Sequence, residues 1–166
     1  FIGLGEKLRR ATFVAAVSSF CRSQLYRSVA YKHWAKMHIV HCGVDPDFYR
    51  IGATQVVERP RFVCVGRLCE QKGQQILIEA AARLAAKGID FELVLAGDGE
   101  MRPEVETLIA KYDLAAQVRI TGWISSEEVR QELLAARALV MASFAEGLPV
   151  VIMEAMSVQR PVLTTW

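Results

Sequence analysis

No stretch of this 166-residue chain is apolar for long enough to cross a bilayer. A spanning helix needs about 20 such residues, and the longest apolar runs, 138–142 and 148–153, stop far short of that. Nor do these residues contain a Lys/Arg-led apolar segment closed by a small-residue cleavage site. Cysteine is scarce and unpatterned. Cys21, Cys42, Cys64 and Cys69 show no C-x-x-C spacing, which disfavours structural zinc and suits reduced packing residues in a cytoplasm. His33, His38 and His41 have no carboxylate or thiol at ligand spacing, so no metal site is expected there. Net charge is only +2, and no nucleic-acid partner is expected for the chain as a whole.

What charge there is lies unevenly. Residues 1–50 hold eight Lys/Arg against three Asp/Glu, or +5, leaving −3 for the remainder. Arg22, Arg27, Lys32 and Lys36 sit in that basic segment, which reads first as a solvated face and second as a surface for anionic lipid or nucleic acid.

The composition, 52% hydrophobic and 23% charged, suits a packed globular core. From residue 61 onward, strand and helix patterns alternate. Short apolar β-branched runs at 61–68, 91–96, 118–122, 138–143 and 161–165 read as buried strands. Between them lie helical patterns at 74–87, 103–114, from Ser125 or Ser126 onward, and 149–158, with Gly88 as a terminator and Pro103 in a first turn. Five strands interleaved with four helices predict an α/β fold, a Rossmann-like parallel sheet with helices on both faces. Residues 12–18 and 38–42 read as two further strands around a helix at 22–36. Residues 43–60 are polar and aperiodic and read as a linker. The expected organisation is a domain tail at 1–44, a linker at 45–60 and an incomplete domain at 61–166. Trp166 follows directly on a strand with no covering helix, and truncation at both ends is expected.

Ligands of open parallel sheets bind beyond the carboxyl ends of the strands. One loop there runs Gly66-Arg67-Leu68-Cys69-Glu70-Gln71-Lys72-Gly73. Arg67 and Lys72 taken alone are ordinary surface residues. Bracketed by glycines that let a backbone come close, they also form a pair able to neutralise a diphosphate without metal. A second loop, Glu146-Gly147-Leu148-Pro149, opens a helix bearing Glu154. Free backbone N–H groups at that helix start favour an anion, and two glutamates can accept hydrogen bonds from sugar hydroxyls.

The segments VGRLCEQKG and SFAEGLPVVIMEAM resemble the two donor-site signatures of glycosyltransferase family 4, enzymes of the GT-B fold. VHCGVDPDFY resembles that family's interdomain segment, and the AGDGE turn and RITGW strand fall where the family has them. The resemblance implies the C-terminal, donor-binding half of a retaining enzyme that moves a sugar from a nucleotide-diphosphate sugar to a glycan or lipid-linked acceptor, as in exopolysaccharide synthesis. It assigns Gly66, Arg67 and Lys72 to the donor diphosphate, with Arg67 and Lys72 stabilising the leaving group. Glu146 is assigned to the donor sugar and a catalytic role, Glu154 to the ribose, Gly147, Leu148 and Pro149 to the amide-rich helix start, and Gly122, Trp123 and Ile124 to the nucleobase. It also implies no cofactor and no divalent metal, and no Asp-x-Asp motif is expected. Many relatives act on lipid-linked acceptors, so a cytoplasmic protein with peripheral association at the inner membrane face is expected.

Two charge-assisted contacts, roughly 1.5–3 kcal/mol each, allow donor binding between about millimolar and tens of micromolar. The acceptor surface belongs to the rest of a GT-B enzyme, so these residues by themselves are expected to bind and not to turn over. A starch- or glycogen-synthase-like enzyme is a lesser alternative. A catalytically inactive nucleotide-binding module is another, although a dinucleotide is disfavoured because AGDGEM lacks the three glycines of GxGxxG.

Overall fold

The computed structural model describes residues 3–49, 55 and 57–165. Part of the expected linker (50–54 and 56) and Trp166 therefore lie outside the described residues. The chain divides into two compact units, Phe1–Gly43 with Gly147–Val150, and Val44–Glu146 with Val151–Trp166.

The first unit contains helix α1 (Leu4–Arg10), strand β1 (Val14–Ala16), helix α2 (Ser19–Tyr26), a 3-10 segment (Tyr31–Lys36) and strand β2 (Met37–Ile39). β1 and β2 pair in parallel, with Val14 opposite Met37. The helix expected over 22–36 is broken in two. Tyr26 and Trp34 stack with ring centroids 4.1 Å apart, whereas residues eight apart in a continuous helix are separated by about 12 Å along the axis. Lys36 then donates to the carbonyls of Arg9 at 2.9 Å and Ala11 at 2.6 Å, tying the 3-10 segment to the end of α1.

The second unit begins with a short helix α3 (Pro46–Tyr49) inside the expected linker. Polar flanks hide its one core residue, Phe48, which is buried. Next come β3 (Arg61–Val65), α4 (Gln74–Ala85), β4 (Glu92–Ala96), α5 (Arg102–Lys111), β5 (Val118–Ile120), α6 (Ser126–Ala135), β6 (Ala138–Met141), α7 (Val150–Ser157) and β7 (Val162–Thr164). The five strands form a fully parallel sheet in the order β5-β4-β3-β6-β7. The fold is thus the expected α/β sheet between helical layers.

Alternation along each strand builds two cores. Cys64, Leu93, Leu95 and Val140 pack with Ile78 and Ala81 of α4 and Val105 of α5. Val63, Val94, Leu139 and Met141 pack with Phe48, Leu133 of α6 and Ala155 of α7. The strands are shorter than the apolar runs because Leu68 and Ala142 are buried in loops and not in ladders. Ser125 and Glu128 form a reciprocal capping box that starts α6 as its sequence indicates.

Candidate functional site

The strand order reverses between β3 and β6, the central neighbours of the sheet. Loops leaving the carboxyl ends of two such strands diverge and open a crevice, the usual ligand position in a doubly wound sheet. Those loops are Gly66–Gly73 and Ala142–Glu146, and three contacts fasten one to the other. Phe144 donates its N–H to the Gln71 carbonyl at 2.8 Å. The Gln71 amide donates to the Ala145 carbonyl at 2.6 Å. Lys72 Nζ donates to Glu146 Oε1 at 2.6 Å, with each side chain 23% exposed.

Glycine is required at this join. Gly73 has φ +62°, and a Cβ there would stand 2.3 Å from the Ala142 carbonyl oxygen. Lys72 runs back over Gly66, its Cε 3.6 Å from where a Cβ would lie. Beneath the pair, burial pushes the Cys64 thiol up to about 12, with Lys72 and Glu146 exerting opposed, smaller effects. Cys64 is therefore a protonated packing residue at neutral pH.

Arg67 does not join Lys72. Its Nε donates to Glu100 Oε2 at 2.9 Å, in the turn after β4. That turn packs tightly on the first loop, since a Cβ on Gly97 would stand 2.1 Å from the Gly66 carbonyl oxygen and one on Gly99 2.3 Å from that of Leu68. Asp98 accepts from the Gly99 N–H and from Arg102, and these bonds, the first above all, hold its carboxyl below the usual carboxylate range. Gly122, with φ +75°, faces the same pair. A Cβ on it would lie 3.6 Å from Asp98 Oδ2. Next to it Trp123 is exposed, while Ile124 packs on the core beside α6 and α7.

Gly147, Leu148 and Pro149 belong with the first unit, where a Cβ on Gly147 would lie 3.8 Å from Cys21 Sγ. Glu154 lies within α7. Burial, and then the charge of Asp45, raise its pKa above the ordinary glutamate value.

The structure therefore brings Lys72 and Glu146 together and gives Arg67 a different partner. An Asp-x-Asp triplet also exists, contrary to expectation, at Asp45-Pro46-Asp47. Asp45 Oδ1 accepts from the Asp47 N–H at 3.0 Å, an Asx-type turn at the start of α3. Among the described residues no group of three or more His, Cys, Asp or Glu side chains is arranged to hold a metal ion. Likewise no helix among them is long and apolar enough to cross a membrane. Sequence reasoning passed over Gln71, Asp98 and Glu100. Two of these lie in the AGDGE turn, whose position beyond a strand end was the available signal.

A family model described as glycosyl transferases group 1 matches residues 49–166. The chain belongs to this family. Alpha-D-kanosaminyltransferase of Streptomyces kanamyceticus is 40% identical over 106 residues, covering 64% of this chain and 28% of the relative. Amylovoran biosynthesis glycosyltransferase AmsK of Erwinia amylovora is 31% identical over 137 residues, covering 78% of this chain and 34% of the relative. This group 1 glycosyltransferase chain thus spans 28–34% of the length of these curated relatives. Among solved structures, Anabaena HepE in complex with UDP-glucose matches with a TM-score of 0.78 at 23% identity, over 97% of this chain and 46% of that one. The likeness establishes a fold similar to that of GT-B glycosyltransferases.

Proposed function

We propose that the second unit is the donor-binding part of a retaining glycosyltransferase of family 4, acting on a nucleotide-diphosphate sugar and a glycan or lipid-linked acceptor in polysaccharide synthesis. Its central observation is the Lys72–Glu146 ion pair, 2.6 Å long, where the loops after β3 and β6 meet at the switch point of the sheet. A diphosphate entering that crevice offers Lys72 a more highly charged partner than Glu146. Released from Lys72, Glu146 becomes an acceptor for hydroxyls of the donor sugar. Arg67 supplies a second cation for the diphosphate and, with Lys72, stabilises the charge that develops as the glycosidic bond breaks. Glu154 accepts from the ribose, and Gly122, Trp123 and Ile124 line the nucleobase position.

Support comes from relatives. HepE is described with UDP-glucose bound, and a Staphylococcus aureus TarM variant with UDP, both sharing this fold. AmsK carries amylovoran biosynthesis in its name. In this reading residues 1–44 are the end of an acceptor-side domain, 45–60 the connection and 61–166 donor-binding, with no metal required. These residues alone bind donor without transferring sugar.

Calorimetric titration with UDP, GDP, ADP, their sugar conjugates and NAD tests the proposal. A nucleoside diphosphate is expected to bind best, and Lys72→Ala to weaken it by about 10-fold or more, the scale of one charge-assisted contact. Binding of NAD alone, indifferent to Lys72→Ala, would refute the proposal.

A further inference from the structure

Arg67 has a fixed backbone and an exposed side chain. Its carbonyl accepts from the buried Gln74 side chain at 2.9 Å. The next N–H, that of Leu68, reaches the Asp98 carbonyl at 2.9 Å. Gly97 presses on Gly66 so closely that a Cβ would overlap its carbonyl oxygen. The side chain, by contrast, is 63% exposed.

One contact restrains it, the bond from Nε to Glu100 at 2.9 Å. A guanidinium has five N–H donors, and a bidentate carboxylate takes two parallel ones, either on the two outer nitrogens or on Nε and one outer nitrogen. Here the carboxylate takes the inner N–H. The outer nitrogens have no other partner among the described residues. The Glu100 carboxyl is held below its ordinary value first by its own backbone N–H, against the desolvation that opposes it, with Arg67 adding a smaller lowering effect.

We infer that Glu100 is a positioning residue, holding Arg67 through Nε so that the outer N–H groups are presented to the donor diphosphate. This rests on the reading of Arg67 as a diphosphate ligand. An arginine already ordered loses less side-chain freedom on binding, which favours affinity. Glu100 also repels the incoming anion, so removing it alone mixes two effects of opposite sign. That repulsion acts whether or not Arg67 is present, and it cancels in a double-mutant cycle.

The test is calorimetry with UDP, GDP and ADP on the intact chain, Arg67→Ala, Glu100→Ala and the double variant. The pair is exposed, so the coupling it can lend is bounded at about fivefold. Arg67→Ala is expected to weaken the preferred diphosphate severalfold more when Glu100 is present than when it is alanine. Glu100→Gln, which keeps an acceptor oxygen without charge, is expected to restore most of that difference, which general loosening of the turn would not. An equal Arg67→Ala penalty in both backgrounds overturns the positioning role while leaving the diphosphate reading intact. No penalty from Arg67→Ala with Glu100 present, or no binding of any of the three diphosphates, overturns both.

Discussion

Lys72 and Arg67 leave the same eight-residue loop and each meets a glutamate from another loop of the same sheet edge. Lys72 and Glu146 are each 23% exposed, Arg67 and Glu100 63% and 56%. Solvent decides what such pairs contribute. Unit charges 4 Å apart attract by about 1 kcal/mol in water and about 4 kcal/mol at the effective dielectric near a protein surface. The half-buried pair therefore fastens two loops, whereas the exposed pair sets an orientation at little gain in stability. Members of one loop divide into a structural clasp and an adjustable arm.

The backbones beneath the two pairs are clamped alike, and breaking either clamp should be the most damaging change. Gly73→Ala places a Cβ 2.3 Å from the Ala142 carbonyl oxygen, and Gly97→Ala places one 2.1 Å from that of Gly66. Their φ angles are +62° and +155°, which alanine adopts only under strain. Each substitution is expected to cost about 3 kcal/mol, from strain and overlap together, read as a fall in the urea midpoint. A loss below about 1 kcal/mol would show that the loops yield and that the clamp is weak.

Side-chain deletions should separate the pairs. Lys72→Ala leaves Glu146 half-buried without its cation and is expected to cost about 1–2 kcal/mol, between values for surface and buried pairs. Arg67→Ala should cost no more than about 0.5 kcal/mol. Raising salt to about 1 M, where charges are screened within roughly 3 Å, should abolish the Arg67 effect and leave most of the Lys72 effect. Equal costs at both salts would contradict the division between clasp and arm.

How much of this was legible beforehand follows from which forces are local. The sheet and its flanking helices could be read from residues 61–165 because burial on both faces writes continuous apolar runs into parallel strands. The break between Tyr26 and Tyr31 could not, since it depends on a ring stack between residues far apart along a helical pattern. Helix α3 was equally hidden, with Phe48 its one core residue among polar neighbours. At the site, Lys72 and Glu146 carried their signal in residue type and loop position. Arg67 carried the same signal, yet its partner was set by how tightly Gly97 and Gly99 let the next turn approach, which no pattern in the first loop records.

The smallest effect expected contrasts two glutamates by pH. Burial raises the Glu154 pKa above the ordinary glutamate value, whereas backbone and arginine bonds lower that of Glu100. For Glu154 the folded state holds the proton more tightly than the unfolded one. Its contribution is therefore complete below about pH 4.5 and is lost as pH rises through the folded value. For Glu100 the contribution is present above about pH 4.5 and disappears as pH falls. Urea midpoints of Glu154→Gln relative to the unaltered chain should thus improve between about pH 4 and pH 7, and those of Glu100→Gln should worsen. A flat profile for Glu154→Gln would mean that Glu154 is solvated like an ordinary surface glutamate, and that α7 does not bury its carboxylate beside Asp45.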